Sequence, residues 1–113
     1  MKRLLILVPL IFSVSASAFA ASPTEQGRAL FLKIGCSQCH GTVGQGGAAG
    51  PRLAPEPMEW EAFAQFVHNS SDAMPAYREK ILPDLQLKQI HSYLQSIPPP
   101  LPVDQIPLLR GKK

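Results

Sequence analysis

Apolar residues recur at helical spacing soon after the first twenty residues. Positions i, i+3, i+4 and i+7 of this segment are Gly27, Leu30, Phe31 and Ile34. Ser22 and Glu25 have the spacing of a capping box, and Pro23 suits the first helical position. Gly35 is placed to end the helix. The pattern therefore predicts a helix that begins after Ser22 and ends just before Gly35.

The same spacing predicts two further helices. The apolar face of the second consists of Trp60, Phe63, Ala64 and Val67, and the polar run 69–72 ends it. The third runs from about Asp84 to Ser96, with Asp84 as its cap. Its apolar positions are Leu87, Ile90, Leu94 and Ile97, with Tyr93 beside them. No segment alternates as a half-buried strand does, so we predict an all-α fold with three main helices.

The first twenty residues are typical of a signal peptide. Lys2 and Arg3 precede an apolar stretch at 4–14, and Ala18-Phe19-Ala20 matches a cleavage site. The apolar stretch is shorter than the ~20 residues that span a bilayer. We therefore expect residues 1–20 to be removed after Ala20, the protein to be exported to the periplasm, and no stable membrane anchor. A leader that is retained as an anchor is the alternative.

Composition divides the remaining chain into a domain and a tail. Residues 98–113 contain five prolines and are expected to be extended or polyproline-like. Residues 21–97 are then one small domain, of a size that often depends on a metal, a cofactor or a disulfide for stability. The full chain has 11 Lys and Arg against 8 Asp and Glu. Because Lys2 and Arg3 belong to the leader, the mature charge is close to balanced, and we expect no nucleic-acid partner.

Cys36-Ser37-Gln38-Cys39-His40 is the strongest chemical signal in the chain. A Cys-x-x-Cys-His run is the signature of covalent c-type haem attachment. Its two thiols can add to one porphyrin edge, and the histidine that follows can bind the iron. The motif therefore predicts one haem c, covalently bound through Cys36 and Cys39, with His40 as an iron ligand.

Other uses of two cysteines fit this sequence less well. A zinc site would usually need two more Cys or His ligands, and the chain has no third cysteine. A redox dithiol is expected near a βαβ pattern, which is missing here. An exported protein without cofactor, closed by a Cys36–Cys39 disulfide, stays open as a third alternative.

The second iron ligand has four candidates: Met58, Met74, His68 and His91. Met74 precedes a proline in a loop and lies outside every helical stripe, so we favour it. Met58 precedes the second helix and is expected to pack in the core or lie at the start of that helix. His68 and His91 are expected at the surface, His68 at the end of the second helix and His91 on the polar side of the third.

The chain resembles the class I monohaem cytochrome c family, particularly its small bacterial periplasmic members. The resemblance covers residues 23–97 and depends on the haem motif, the turn Gly50-Pro51-x-Leu53, Met74-Pro75 and a pair of terminal helices. In the family these two helices cross, and the matching contact positions are Gly27, Phe31, Ile90 and Tyr93. The resemblance implies a small cytochrome c fold around one haem.

The resemblance also implies roles for individual residues. His40 and Met74 would be the two metal ligands, and the carbonyl of Pro51 would accept the other ring N–H of His40. Arg52, Trp60 and Tyr77 would be candidates for hydrogen bonds to the haem propionates, each with an ordinary surface or core role as the alternative.

The expected function is that of an electron-transfer protein and not an enzyme. With both axial positions filled, the protein would carry single electrons between a donor and an acceptor protein through transient contacts, as a monomer. One alternative is an electron-transfer subunit tied to one dehydrogenase or oxidase complex. Another is an open-site haem enzyme or sensor, which would need a weak or missing sixth ligand.

Overall fold

The computed structural model describes residues 20–109 and contains four α-helices. In chain order they are α1 (Pro23–Lys33), α2 (Cys36–His40), α3 (Trp60–Asn69) and α4 (Asp84–Ser96). No β-strand occurs within the described residues, where one isolated bridge joins Gly47 and Gly50. The predicted all-α fold with three main helices is confirmed. The predicted signal peptide lies outside the described residues, except for Ala20.

Helix α1 begins and ends as its sequence predicts. The backbone N–H of Glu25 donates to the Ser22 hydroxyl over 3.2 Å, and the Ser22 N–H donates to the Glu25 carboxylate over 2.7 Å. At the other end, Gly35 has a φ of +97°, a conformation that favours glycine. Because helix α2 starts at the next residue, this turn places Cys36 directly after α1.

Helices α1 and α4 pack against each other and form the core of the fold. Phe31 is fully buried, and its ring lies 5.7 Å from that of Tyr93, centroid to centroid. A β-carbon at Gly27 would collide with the carbonyl of Gln89. This predicted pair of terminal helices is confirmed, and the missing side chain at Gly27 is what allows the two backbones to approach.

The bounds of α4 are those predicted, but the prediction that Asp84 caps it is wrong. Pro83 occupies the N-cap position, and Asp84 is the first helical residue. The Asp84 carboxylate instead lies 2.9 Å from Nε2 of His68, at the end of α3. A carboxylate in the first turn still stabilises the helix, because it faces the positive end of the helix dipole.

After α4 the chain continues as a tail with exposed side chains. The described part contains two short 3₁₀ turns, Val103–Gln105 and Pro107–Leu109. The apolar side chains of Leu101, Val103 and Leu108 are all exposed. No helix within residues 20–109 is both long enough and apolar enough to cross a membrane.

Candidate haem-binding site

A cavity of about 370 Å³ opens between the helices and the loops that join them. Its walls are mainly apolar, with side chains from all three longer helices and from the loops. The apolar side chains include Phe31, Leu53, Phe63, Phe66, Val67, Leu82, Leu87, Ile90 and Leu94. An apolar recess with a few polar groups is the usual form of a cofactor site.

Helix α2 supplies both cysteines to this cavity. Cys36 and Cys39 line it, and their i, i+3 spacing puts them on one side of the helix. Both are free thiols, Cys36 partly buried and Cys39 exposed. Burial raises the pKa of the Cys36 thiol, which favours the neutral S–H form. The two sulfur atoms are therefore available to one ligand that lies against this helix.

His40, the last residue of α2, lines the same cavity and is almost fully buried. Its Nδ1 lies 2.8 Å from the carbonyl oxygen of Pro51. A carbonyl can only accept, so Nδ1 carries the proton and donates it to this bond. In the neutral tautomer that makes this bond, Nε2 has the lone pair with which an imidazole binds a metal. The hydrogen bond predicted between His40 and Pro51 is present.

The glycine-rich segment 41–50 packs its backbone against the motif. The N–H of Gly46 donates to the carbonyl of His40 over 2.8 Å. A β-carbon at Gly50 would lie 3.0 Å from Nδ1 of His40 and 3.0 Å from the carbonyl oxygen of Cys39. A side chain at position 50 would therefore press on the imidazole. This segment is the packing partner of His40 and not a free linker.

Two methionines also line the cavity, Met58 and Met74. Met74 lies in the loop between α3 and α4, is partly buried and packs against the hydrophobic core. Met58 precedes α3 and is 51% exposed, so it lies at the start of that helix and is not a core residue. The cavity thus contains one imidazole and two thioether side chains.

The expectation that His91 is solvated is wrong. Its side chain is buried, and its Nε2 lies 2.8 Å from the carbonyl oxygen of Met58. The rings of Phe63 and Trp60 flank it at centroid distances of 5.0 and 5.9 Å. His91 follows Leu87 by four residues and precedes Leu94 by three, which places it on the apolar face of α4. That spacing is the signal in the sequence that identifies His91 as a buried residue.

Comparison with known families agrees with this geometry. Residues 22–94, more than half of the chain, match the family model described as cytochrome c oxidase, cbb3-type, subunit III. The chain belongs to this family of monohaem c-type cytochromes. Its cofactor is haem c, with iron, bound covalently through Cys36 and Cys39. No curated protein matches the chain.

The residues of this cytochrome fit that cofactor. Two free thiols and an imidazole nitrogen converge on an apolar cavity, and a backbone carbonyl fixes the orientation of the imidazole. These are the groups that covalent attachment and ligation of a haem require.

Of the three residues suggested for the propionates, the structure brings two to the cavity. Arg52 and Tyr77 line it, whereas Trp60 does not. The Trp60 ring instead lies edge-on to His91, with the ammonium group of Lys88 5.1 Å from its centroid. Burial, and to a lesser extent the adjacent cysteines, raise the pKa of the Tyr77 hydroxyl. That hydroxyl therefore remains protonated, and it donates to the carbonyl oxygen of Ile34 over 3.5 Å, a long contact.

His68 is not the plain surface residue that the sequence suggests, because its side chain is only 15% exposed. Its Nδ1 lies 2.6 Å from the carbonyl oxygen of Tyr77, and its Nε2 lies 2.9 Å from the carboxylate of Asp84. His68 thus connects the end of α3 to the following loop and to the start of α4. Both partners are distant in sequence, and no local pattern identifies them.

Proposed function

We propose that this cytochrome is a single-electron carrier of the periplasm whose haem iron is held by His40 and Met74. The observation that carries the proposal is that both side chains line one cavity, beside the two cysteines. Histidine and methionine together are the ligand pair of cytochromes c, and methionine raises the reduction potential. A filled pair of axial positions suits electron transfer, because it leaves no site for a substrate.

The residues of the cavity have separable tasks. When bound, the haem supplies a one-electron couple at its iron. Cys36 and Cys39 anchor it, which prevents its loss outside the cell. The carbonyl of Pro51 holds the His40 ring in one orientation. Arg52 and Tyr77 are the proposed donors to the propionates, whereas the Trp60 ring lies edge-on to His91 and does not line the cavity.

Met74 is preferred to Met58 because of its surroundings. Its side chain packs against the buried core, whereas that of Met58 is half exposed and therefore freer to move. A ligand that keeps its place during oxidation and reduction needs a rigid support, since small reorganisation favours fast transfer.

The ligand assignment is tested with the ferric holoprotein and matched methionine variants. In Met74→Ala, the sulfur-to-iron charge-transfer band should be lost while the covalent haem is retained, as shown by the mass of the protein. Met58→Ala should keep the band. Loss of the band in Met58→Ala alone would reverse the assignment. A wild-type protein without the band would favour an open-site haem enzyme or sensor.

The partners proposed are redox proteins that bind briefly at a small interface. Transient redox contacts bury less area than stable complexes, because a carrier must dissociate quickly. The near balance of charge in the mature chain predicts only a modest effect of salt on the rate of docking. We propose a monomer that is exported after cleavage at Ala20.

A second candidate function is that of an electron-transfer subunit held in one oxidase or dehydrogenase complex. The family description names an oxidase subunit, and the tail after α4 exposes several apolar side chains. Deleting residues 98–113 distinguishes the two functions. Loss of co-purification with a complex would support the subunit, whereas a full-length protein that purifies alone would support the free carrier.

A further inference from the structure

The loop between α3 and α4, residues 70–83, carries Met74 and is attached to both helices through Tyr77 and His68. The backbone N–H of Tyr77 donates to the carbonyl of Val67 over 2.9 Å. Its carbonyl accepts from Nδ1 of His68 over 2.6 Å. Both backbone polar groups of Tyr77, three positions after Met74, are therefore bonded to the last turns of α3.

The second ring nitrogen of His68 extends the connection to α4. Nε2 lies 2.9 Å from the carboxylate of Asp84, in the first turn of that helix. A carbonyl and an ionised carboxylate can only accept hydrogen bonds, so both contacts are made together only when both ring nitrogens carry protons. The imidazolium form joins three elements, and the neutral ring has one donor for two acceptors.

We propose that His68 is a positioning residue for Met74: its doubly protonated ring fixes the loop 70–83 to α3 and α4, and so holds the thioether in the haem cavity. The proposal rests on the proposed function, because it takes Met74 as the iron ligand. Pro75 makes the connection short and stiff, since it restricts the backbone between Met74 and Tyr77.

The surroundings of His68 favour the protonated ring. The hydrogen bond to the Tyr77 carbonyl is the largest cause that raises its pKa, followed by the hydrogen bond to Asp84, and burial acts in the opposite direction. The charged groups that face the ring are Asp84 from α4 and Glu79 from the loop, and both are acidic. Loss of the proton at higher pH removes one of the two contacts.

The test follows the ferric sulfur-to-iron charge-transfer band of the holoprotein as the pH is raised. In the wild type the band should weaken in a one-proton step, with the same midpoint as the titration of His68 observed by NMR. In His68→Gln this step should be absent. In Asp84→Asn the step should move to lower pH, because the ring loses its acidic partner. Asp72→Asn, an acidic residue of the same loop, should leave the midpoint unchanged.

Three outcomes would overturn the proposal. The first is that the band of His68→Gln still weakens in the same step as the pH is raised. The second is that the midpoint of this weakening in the wild type differs from the midpoint of the His68 titration observed by NMR. The third is a band that Met74→Ala leaves intact, which would remove the ligand assignment and this proposal together. If Met74→Ala loses the band but His68→Gln behaves as the wild type, only the positioning role fails.

Discussion

The contact between α1 and α4 is apolar and close, whereas the loops that wall the haem cavity are held largely by hydrogen bonds. Phe31, Ile90 and Leu94 are almost fully buried between the helices. On the loop side, each of the three histidines of the chain lies within hydrogen-bond distance of a backbone carbonyl of another segment. The pairs are His40 with Pro51, His68 with Tyr77 and His91 with Met58.

This difference separates stability from ligand geometry. Burial of a large apolar side chain contributes a few kcal/mol, whereas a typical hydrogen bond contributes about 1 kcal/mol net. The helix pair should therefore dominate the free energy of unfolding. The histidine contacts should matter less for stability and more for where the cavity walls, and the methionines on them, are held.

The largest effect is expected from Phe31→Ala. Phe31 is fully buried between α1 and α4, and removal of such a ring costs about 3–5 kcal/mol. Denaturant unfolding of the holoprotein measures this. Leu32→Ala is the control, because the adjacent side chain is 38% exposed and its loss should cost much less. Equal losses in the two variants would show that the helix contact does not dominate.

Gly27→Ala tests the same contact by adding one methyl group. At an exposed helical position this change stabilises by up to about 1 kcal/mol. Here the new β-carbon would collide with the Gln89 carbonyl, so we expect destabilisation by about 1–3 kcal/mol. Ala29→Gly, on the exposed side of α1, should lose only helix propensity. A more stable Gly27→Ala protein would contradict the close approach of the two backbones.

Sequence reasoning predicts the contact between α1 and α4 well, and it predicts the loops around the haem cavity only in part. The spacing of Gly27, Phe31 and Ile90 identifies the helix pair because apolar burial repeats along each helix. The haem motif likewise identifies Cys36, Cys39 and His40, since attachment fixes their spacing. The carbonyl partners of His68 and His91 lie 9 and 33 positions away. Every residue type has a backbone carbonyl, so a hydrogen bond to one does not restrict the residue at that position. These contacts can therefore be identified only from the structure.

His91→Phe removes a loop contact while it keeps an aromatic ring in the core. The carbonyl of Met58 loses its partner, and an unpaired polar group that is at least partly buried costs about 1–3 kcal/mol. The sulfur-to-iron band should persist, because Met58 is not the proposed ligand. Gln95→Ala, one turn further along α4 and exposed, is the control. Loss of the sulfur-to-iron band in His91→Phe would mean that the segment containing Met58 supplies the iron ligand.

The smallest effect is the dependence of stability on the protonation of His68. The pKa of this histidine is raised in the folded protein, first by the Tyr77 carbonyl and then by Asp84. Its contribution is therefore fully present below the pKa of the unfolded chain, and it is lost as the pH rises through the higher pKa of the folded state. The change in the free energy of unfolding should not exceed the net contribution of one hydrogen bond, ~1 kcal/mol.

Urea unfolding of the wild type and of His68→Gln, compared between about pH 5 and pH 9, measures this contribution as a difference. The two proteins should differ most at the acidic end and converge as the pH rises. A difference that stays constant would mean that His68 acts through packing alone. A difference that grows with pH would mean that the neutral ring is the form the fold prefers, and one of the two acceptors would then need another donor.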